Sequence, residues 1–224
     1  YARIMAVRAK SQRIAAMKRD IQAKKVALAQ SIQAINSQQK ELKSSIAMNQ
    51  SMINKYKSDR KTYERAEREL ARQSASIQSM IARNRSRSSV RITSTGFMRP
   101  IGGRITSPFG WRTHPIFNSR TFHSGVDIAG PNHGSIHASN SGRVIYSGWY
   151  GGYGKVVILD HGVVNGKPTT TLYAHMSSIK VGQGQFVHKG DVVGYEGTTG
   201  YSTGPHVHFE VRINGKPNNP LNYI

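Results

Sequence analysis

Eight residues close to the end of the sequence, His206-Val207-His208-Phe209-Glu210-Val211-Arg212-Ile213, alternate polar with apolar. Successive side chains of a strand point to opposite faces. Val207, Phe209, Val211 and Ile213 are therefore expected in a core, with His206 and His208 side by side on the other face. Two imidazoles so placed can share one ion, or one can bind it while the other acts on its water. A second cluster, His123-Ser124-Gly125-Val126-Asp127, adds an imidazole and a carboxylate. Gly125 and the following Ile128-Ala129-Gly130-Pro131 argue for a turn running into a strand rather than for a helix. A third, Leu172-Tyr173-Ala174-His175-Met176, puts another histidine at the end of an apparent strand. Imidazole plus carboxylate is a zinc donor set, and three protein ligands with a fourth position left to water is its catalytic form. Iron sites also use two histidines and a carboxylate, so the residue types alone leave the metal open.

The elements that must position these residues occupy only part of the chain. All 22 Gly lie at or after Gly96, all 8 Pro at or after Pro100 and all 9 His at or after His114, in a sequence of 224 residues. Two segments with such different usage do not share one fold. Charge divides the same way: residues 1–95 carry 21 Lys+Arg against 6 Asp+Glu, a net +15, and residues 96–224 carry the remaining +6 of the total +21. The later segment is dense in Gly and in β-branched and aromatic residues. Short apolar runs recur there between turn signals, at Gly142 to Tyr146, Lys155 to Leu159, Thr169 to Tyr173, Asp191 to Tyr195 and Val207 to Ile213. That pattern predicts an all-β sandwich or barrel of short strands.

The first segment repeats every seven residues from Val7 through Ile14, Ile21, Leu28, Ile35, Leu42, Asn49, Tyr56, Tyr63, Leu70 and Ile77, with Asn49 the one polar member. The companion line four residues on is patchier and includes Ile4, Ile32, Ile46, Ile53 and Ile81 but also Glu67 and Ser74. A sustained heptad without Gly or Pro predicts a coiled coil. Its seam needs a partner, either another chain or the segment itself. The expectation is an antiparallel hairpin turning at Met48-Asn49-Gln50-Ser51, with a dimer as the alternative. The Arg- and Ser-rich stretch that follows reads as a linker. The predicted organisation is α + β in separate domains, with a coiled-coil arm at 1–83, a linker at 84–96 and an all-β domain at 97–224.

Several classes drop out. Without cysteine there is no disulfide scaffold, thiolate zinc finger or cysteine nucleophile. No apolar run approaches the ~18 residues of a membrane span. The chain opens on Tyr1 rather than Met, so it reads as a trimmed piece whose export signal or anchor would have preceded Tyr1. Gly148-Trp149-Tyr150-Gly151-Gly152-Tyr153-Gly154 lacks the Lys-Ser/Thr and the helix of a phosphate loop and is expected to be a tight loop. His114, His133, His137, His161 and His188 have no donor spacing and are expected to be surface or satisfied core residues. The residues offer neither Ser-His-Asp logic nor a His-Glu-x-x-His helix.

Taken together, Ser107-Pro108-Phe109-Gly110-Trp111-Arg112, His123-x-x-x-Asp127, Leu172-Tyr173-Ala174-His175 and Gly204-Pro205-His206-Val207-His208-Phe209-Glu210 make residues 97–224 resemble the LytM/lysostaphin-type zinc endopeptidases of peptidoglycan, the M23 peptidases. The resemblance implies Zn2+ held by His123, Asp127 and His208, and a catalytic pair, His175 and His206, around the metal-bound water. It also implies a peptidoglycan cross-link as substrate, and coiled-coil relatives favour D,D-cross-links over glycine bridges. The implied location is extracytoplasmic, in the periplasm or cell wall. Some coiled-coil relatives have instead lost zinc ligands and activate cell-wall amidases, which is the alternative function. Glu210 is expected either to hold an imidazole tautomer or to be an exposed strand residue. The basic arm suits an anionic cell wall or membrane surface, and its seam suits a protein partner or self-association. A nucleic-acid partner is disfavoured, since no recognition motif accompanies the charge.

Overall fold

The computed structural model describes residues 2–85, 96–113, 118–131 and 133–224. Residues 86–95 of the expected linker, and His114, lie outside the described residues. One α-helix, α1 (Ala2–Arg85), runs without interruption through the first segment. The reversal expected at Met48-Asn49-Gln50-Ser51 does not occur. None of these residues disfavours a helix interior as Gly or Pro would, and Asn49 changes only what the seam presents at one turn.

Contacts divide the chain into two compact units, Tyr1–Asp59 and Arg60–Ile224. In the first unit the heptad seam faces solvent at Val7, Ile14, Ile21, Leu28, Ile35 and Leu42. In the second unit the same seam is covered. Ile77 and Ile81 are buried, with Leu70 against them, in a cluster with Ile145, Tyr153, Val156, Ile158, Leu172 and Ala174. The last turns of the helix therefore take the sheet as their partner. This contact boundary falls at Asp59/Arg60, earlier than the compositional boundary at 83, because an apolar stripe packs on a sheet as readily as on a helix.

The rest of the second unit is β1 (Arg104–Ser107), β2 (Gly110–Thr113), β3 (Arg120–His123), β4 (Val126–Ala129), β5 (Ser135–His137), β6 (Gly142–Trp149), β7 (Lys155–Val164), β8 (Lys167–Met176), β9 (Ser178–Ile179), β10 (Phe186–Val187), β11 (Val192–Tyr195), β12 (Val207–Ile213) and β13 (Lys216–Asn218). All pairings are antiparallel. The main sheet has the order β1-β4-β12-β8-β7-β6-β10 with β13 on β12, beside a β5-β11-β9 sheet and a β2-β3 hairpin. The all-β expectation for this segment holds. Its principal core lies under the main sheet and includes Val126, Ile128, Val157, Tyr173, Val207, Phe209 and Val211. The inward half of the β12 alternation is thus as predicted, but its other half is also buried: His208, Glu210 and Arg212 are covered.

Candidate active site

Strand register brings the candidate residues together. β12 lies between β4 and β8, with His208 opposite both Asp127 and Ala174. His175 follows Ala174 on β8, and His123 ends β3 opposite Gly110. Ser124-Gly125 carries the chain from the hairpin into the main sheet. Gly125 is required there, because a Cβ would lie 2.4 Å from the Phe209 carbonyl oxygen and 2.9 Å from His208 Cε1.

Three donor atoms converge. His208 Nδ1 lies 2.9 Å from Asp127 Oδ1 and 3.0 Å from His123 Nε2, and His123 Nε2 lies 3.2 Å from Asp127 Oδ1. These spacings are close to the roughly 3.3 Å between neighbouring corners of a tetrahedral zinc site with bonds of about 2.0–2.1 Å. The remaining ring nitrogens are fixed from behind. His123 Nδ1 donates to the Pro108 carbonyl at 2.8 Å, and His208 Nε2 donates to Glu210 Oε1 at 3.0 Å. Each imidazole therefore turns its other nitrogen toward the common point. By donor set and spacing, His123, Asp127 and His208 can hold a metal ion.

The electrostatics agree with such a site. Burial opposes ionisation of Asp127, but hydrogen bonds from His123 and His208 hold its carboxyl well below the usual range. Burial likewise disfavours a charged His208; hydrogen bonds to Asp127 and Glu210 outweigh it and hold the ring up at about 9. As a cation this ring bridges two carboxylates, a charge that an ion on its Nδ1 side can take over.

His175 and His206 flank the cluster, with ring centroids 4.9 Å apart. His175 Nδ1 donates to the Thr199 carbonyl at 2.7 Å and His206 Nδ1 to the Gly204 carbonyl at 2.8 Å. Both rings consequently offer an Nε2 lone pair, that of His206 lying 3.7 Å from Asp127 Oδ1. His175 has a φ of 60°, a left-handed conformation that side chains rarely adopt and that recurs at functional sites. Burial and the nearby His208 and His206 rings push His175 down to about 3, so it is neutral.

Glu210 is fully buried, which settles its alternatives. Its Oε1 accepts from Ser124 Oγ at 2.5 Å, Tyr153 OH at 3.1 Å and His208 Nε2 at 3.0 Å, and Oε2 accepts from Arg212 Nε at 2.5 Å. Burial opposes its ionisation, but Arg212 and His208 hold it ionised. The Gly-rich segment is a tight loop with a 3-10 turn at Gly151–Tyr153; Tyr153 turns inward to Glu210 while Trp149 is exposed. Ser124, Tyr153, Arg212 and the carbonyls of Pro108, Thr199 and Gly204 are site residues that sequence reasoning missed. Ser124, within the His123 cluster, and Arg212, on the polar face of the His206–Ile213 alternation, carried a signal. Of the other histidines, His161 is buried with both nitrogens engaged, by the Ser141 carbonyl and Thr171 Oγ1.

Residues 121–220 match the model of peptidase family M23. These residues form a peptidase M23 domain. The M23 domain is 48% identical over 118 residues to the DD-carboxypeptidase/endopeptidase Mpg of Neisseria meningitidis, covering 53% of this chain and 26% of that protein. It is 35% identical over 119 residues to the peptidoglycan DD-endopeptidase ShyA of Vibrio cholerae, covering 53% and 27%. The crystal structure of a zinc-containing peptidase from Vibrio cholerae superposes with a TM-score of 0.51 at 32% identity, covering 55% of this chain and 39% of that one. The chain thus spans about a quarter of the length of the curated relatives it matches. The family that this domain matches is one of metallopeptidases.

Proposed function

We propose that this M23 chain is a zinc-dependent endopeptidase that cleaves peptide cross-links of bacterial peptidoglycan, D,D-cross-links in preference to glycine bridges. The observation that carries the reading is the convergence of His123, Asp127 and His208 beside two histidines whose Nδ1–H groups are committed to carbonyls. The names of the relatives, a DD-carboxypeptidase/endopeptidase and a peptidoglycan DD-endopeptidase, support the substrate and the preference. A zinc-containing neighbour supports the metal.

In this reading His123, Asp127 and His208 hold the zinc, each imidazole fixed in its tautomer by the group behind it. When bound, the ion supplies a Lewis acid for the scissile carbonyl and lowers the pKa of a coordinated water. His175 and His206 are the proton-transfer groups. With Nδ1–H held by Thr199 and Gly204, each ring can accept a proton only at Nε2, on the side of the ligands, and return it from there to the leaving amine. Such proton transfer contributes typically 10²–10⁴ in rate. With the left-handed backbone at His175, its ring lies 4.9 Å from that of His206 and 6.0 Å from that of His208, centroid to centroid.

The same reading assigns residues 1–83 to an arm, 84–96 to a linker and 97–224 to the catalytic domain, although turns of α1 beyond Arg60 pack on that domain. It places the protein outside the cytoplasm, with the basic arm against an anionic cell wall or membrane surface and its exposed seam against a protein partner. No helix among the described residues is long and apolar enough to cross a membrane. The test is digestion of purified sacculi by the full chain, with the released muropeptides identified by mass. Zinc-dependent loss of D,D-cross-linked dimers is the expected result. Cleavage confined to glycine bridges overturns the preference, and no release at all overturns the enzyme in favour of an amidase activator.

A further inference from the structure

Arg212 is the largest fully buried side chain among the described residues. Burying a guanidinium is expensive, and an ion pair of this kind is weak evidence for stability, since apolar residues of the same volume serve packing as well or better. Its contacts suggest another role. Nε donates to Glu210 Oε2 at 2.5 Å, Nη1 to the Ser74 carbonyl at 3.0 Å and the Gly215 carbonyl at 3.3 Å, and Nη2 to Ser74 Oγ at 2.8 Å. One end of the fork is therefore anchored on α1, 138 residues away in sequence, and the other holds one oxygen of Glu210. The second oxygen of Glu210 receives His208 Nε2–H.

We propose that Ser74 and Arg212 are positioning residues of the metal site, locking Glu210 so that His208 keeps its proton on Nε2 and its Nδ1 free for the ion. The inference rests on His208 being a metal ligand, as in the proposed function, and extends the site to a helix outside residues 121–220. A carboxylate held at Oε2 by Arg212 Nε and at Oε1 by Ser124 and Tyr153 is fixed at both oxygens, and a fixed carboxylate orients the imidazole hydrogen-bonded to it. Ser74 lies on the patchy companion line of the heptad, where a polar residue weakens a coiled-coil seam but here meets a buried arginine. One heptad earlier on the same line, Glu67 approaches Arg112 Nη2 only to 3.7 Å. Arg112 Nη1 donates to Ser107 Oγ at 2.7 Å, and that oxygen is 3.4 Å from His123 Nδ1. This second path is looser, and His123 Nδ1 is already held by Pro108 at 2.8 Å, so Glu67 is the internal control.

The experiment uses the full chain and Zn2+. Zinc affinity is measured by competition with a chromogenic chelator, and the nitrogen of His208 that carries the proton is read from long-range 1H–15N correlations of the zinc-loaded protein. Glu210→Gln and Arg212→Lys are expected to weaken zinc binding 10–100-fold, the range typical of groups behind metal-ligating histidines. Both should also shift the His208 proton from Nε2 toward Nδ1. Ser74→Ala, which keeps the carbonyl contact, is expected to weaken binding less, and Glu67→Gln to leave it at the wild-type value. A wild-type chain that binds no zinc overturns the metal site itself and this inference with it. Wild-type binding with unchanged affinity and tautomer in Glu210→Gln and Arg212→Lys overturns the positioning role alone. If both variants lose affinity while Ser74→Ala matches Glu67→Gln, the role of the helix is refuted. Should Arg212→Lys fail to fold, Glu210→Gln and Ser74→Ala decide between these results.

Discussion

His206 and His208 stand two residues apart, yet they meet Asp127 through opposite ring nitrogens: His208 by Nδ1 at 2.9 Å, His206 by Nε2 at 3.7 Å. The difference follows from what holds each ring from behind, a carboxylate in one case and the Gly204 carbonyl in the other. In the proposed function it separates a ligand from a proton-transfer group. His208→Ala removes one of three protein bonds to the metal and should purify with little zinc and no activity. His206→Ala should keep near-stoichiometric zinc and lose roughly 10²–10⁴ in turnover. Zinc content measured beside sacculus digestion tests the pair, and loss of zinc from His206→Ala to the level of His208→Ala would refute the separation.

Ile77 is completely buried between α1 and the sheet. Ile77→Ala should cost about 2–5 kcal/mol of unfolding free energy, the usual range for an emptied core isoleucine position. Ile21→Ala, on the exposed seam of the first unit, should cost little in the second unit's unfolding transition. Chemical denaturation followed by tryptophan fluorescence reports on that unit, because Trp111 and Trp149, the only two tryptophans, both lie in it. Equal midpoints for the two variants would mean that the last turns of the helix are not part of that fold.

The strands and the cluster of five site residues were legible because they obey local rules. The alternation His206 to Ile213 is a strand pattern, and His-x-His on one face with His-x-x-x-Asp at a turn is a donor pattern. What was not legible depends on distant partners. Leu70 and Ile77 look alike on a heptad whether a helix or a sheet covers them, so the unit boundary could not be read. Alternation placed Glu210 and Arg212 on the outward face but could not reveal that Ser74, from far upstream, closes over them. The carbonyls of Pro108, Thr199 and Gly204 act through the backbone, where residue type carries no mark. Asn49 interrupts the seam in a way that a turn and a continuing helix share.

His161 supplies a pH test away from the site. Burial lowers its pKa to about 4, with the hydrogen bond to Ser141 and the charge of Asp160 offsetting this only in part. The unfolded chain therefore binds the proton more readily between about pH 6.5 and 4. Its contribution is intact above that window and is lost as pH falls through it, amounting to about 3 kcal/mol for a shift of this size. Unfolding free energies at pH 7 and pH 4.5 should fall more steeply for the wild type than for His161→Gln. Parallel pH profiles would exclude His161 as the cause.

Residues 1–59 carry 12 Lys+Arg against 3 Asp+Glu, a net +9. Binding of the full chain to anionic vesicles should fade between 0.1 M and 1 M salt as the Debye length shrinks from ~10 Å to ~3 Å. Co-sedimentation at both salt levels measures it. Equal binding at both would show that the charge only solvates the helix.

The contact between Ser74 and Arg212 spans 138 residues, and Arg212 lies on β12, after every other strand of the main sheet but β13. During synthesis the helix emerges before the sheet, and Leu70, Ile77 and Ile81 are without the strands they pack on until β7 and β8 are made. Closing so long a loop is slow relative to forming local turns. His123 and Asp127 exist as a pair well before His208 and its support are made, so the growing chain has an incomplete donor set until β12 has been synthesised. In the proposed function, hydrolytic competence is thereby deferred until β12 has joined β4 and β8, a delay set by the order of the elements.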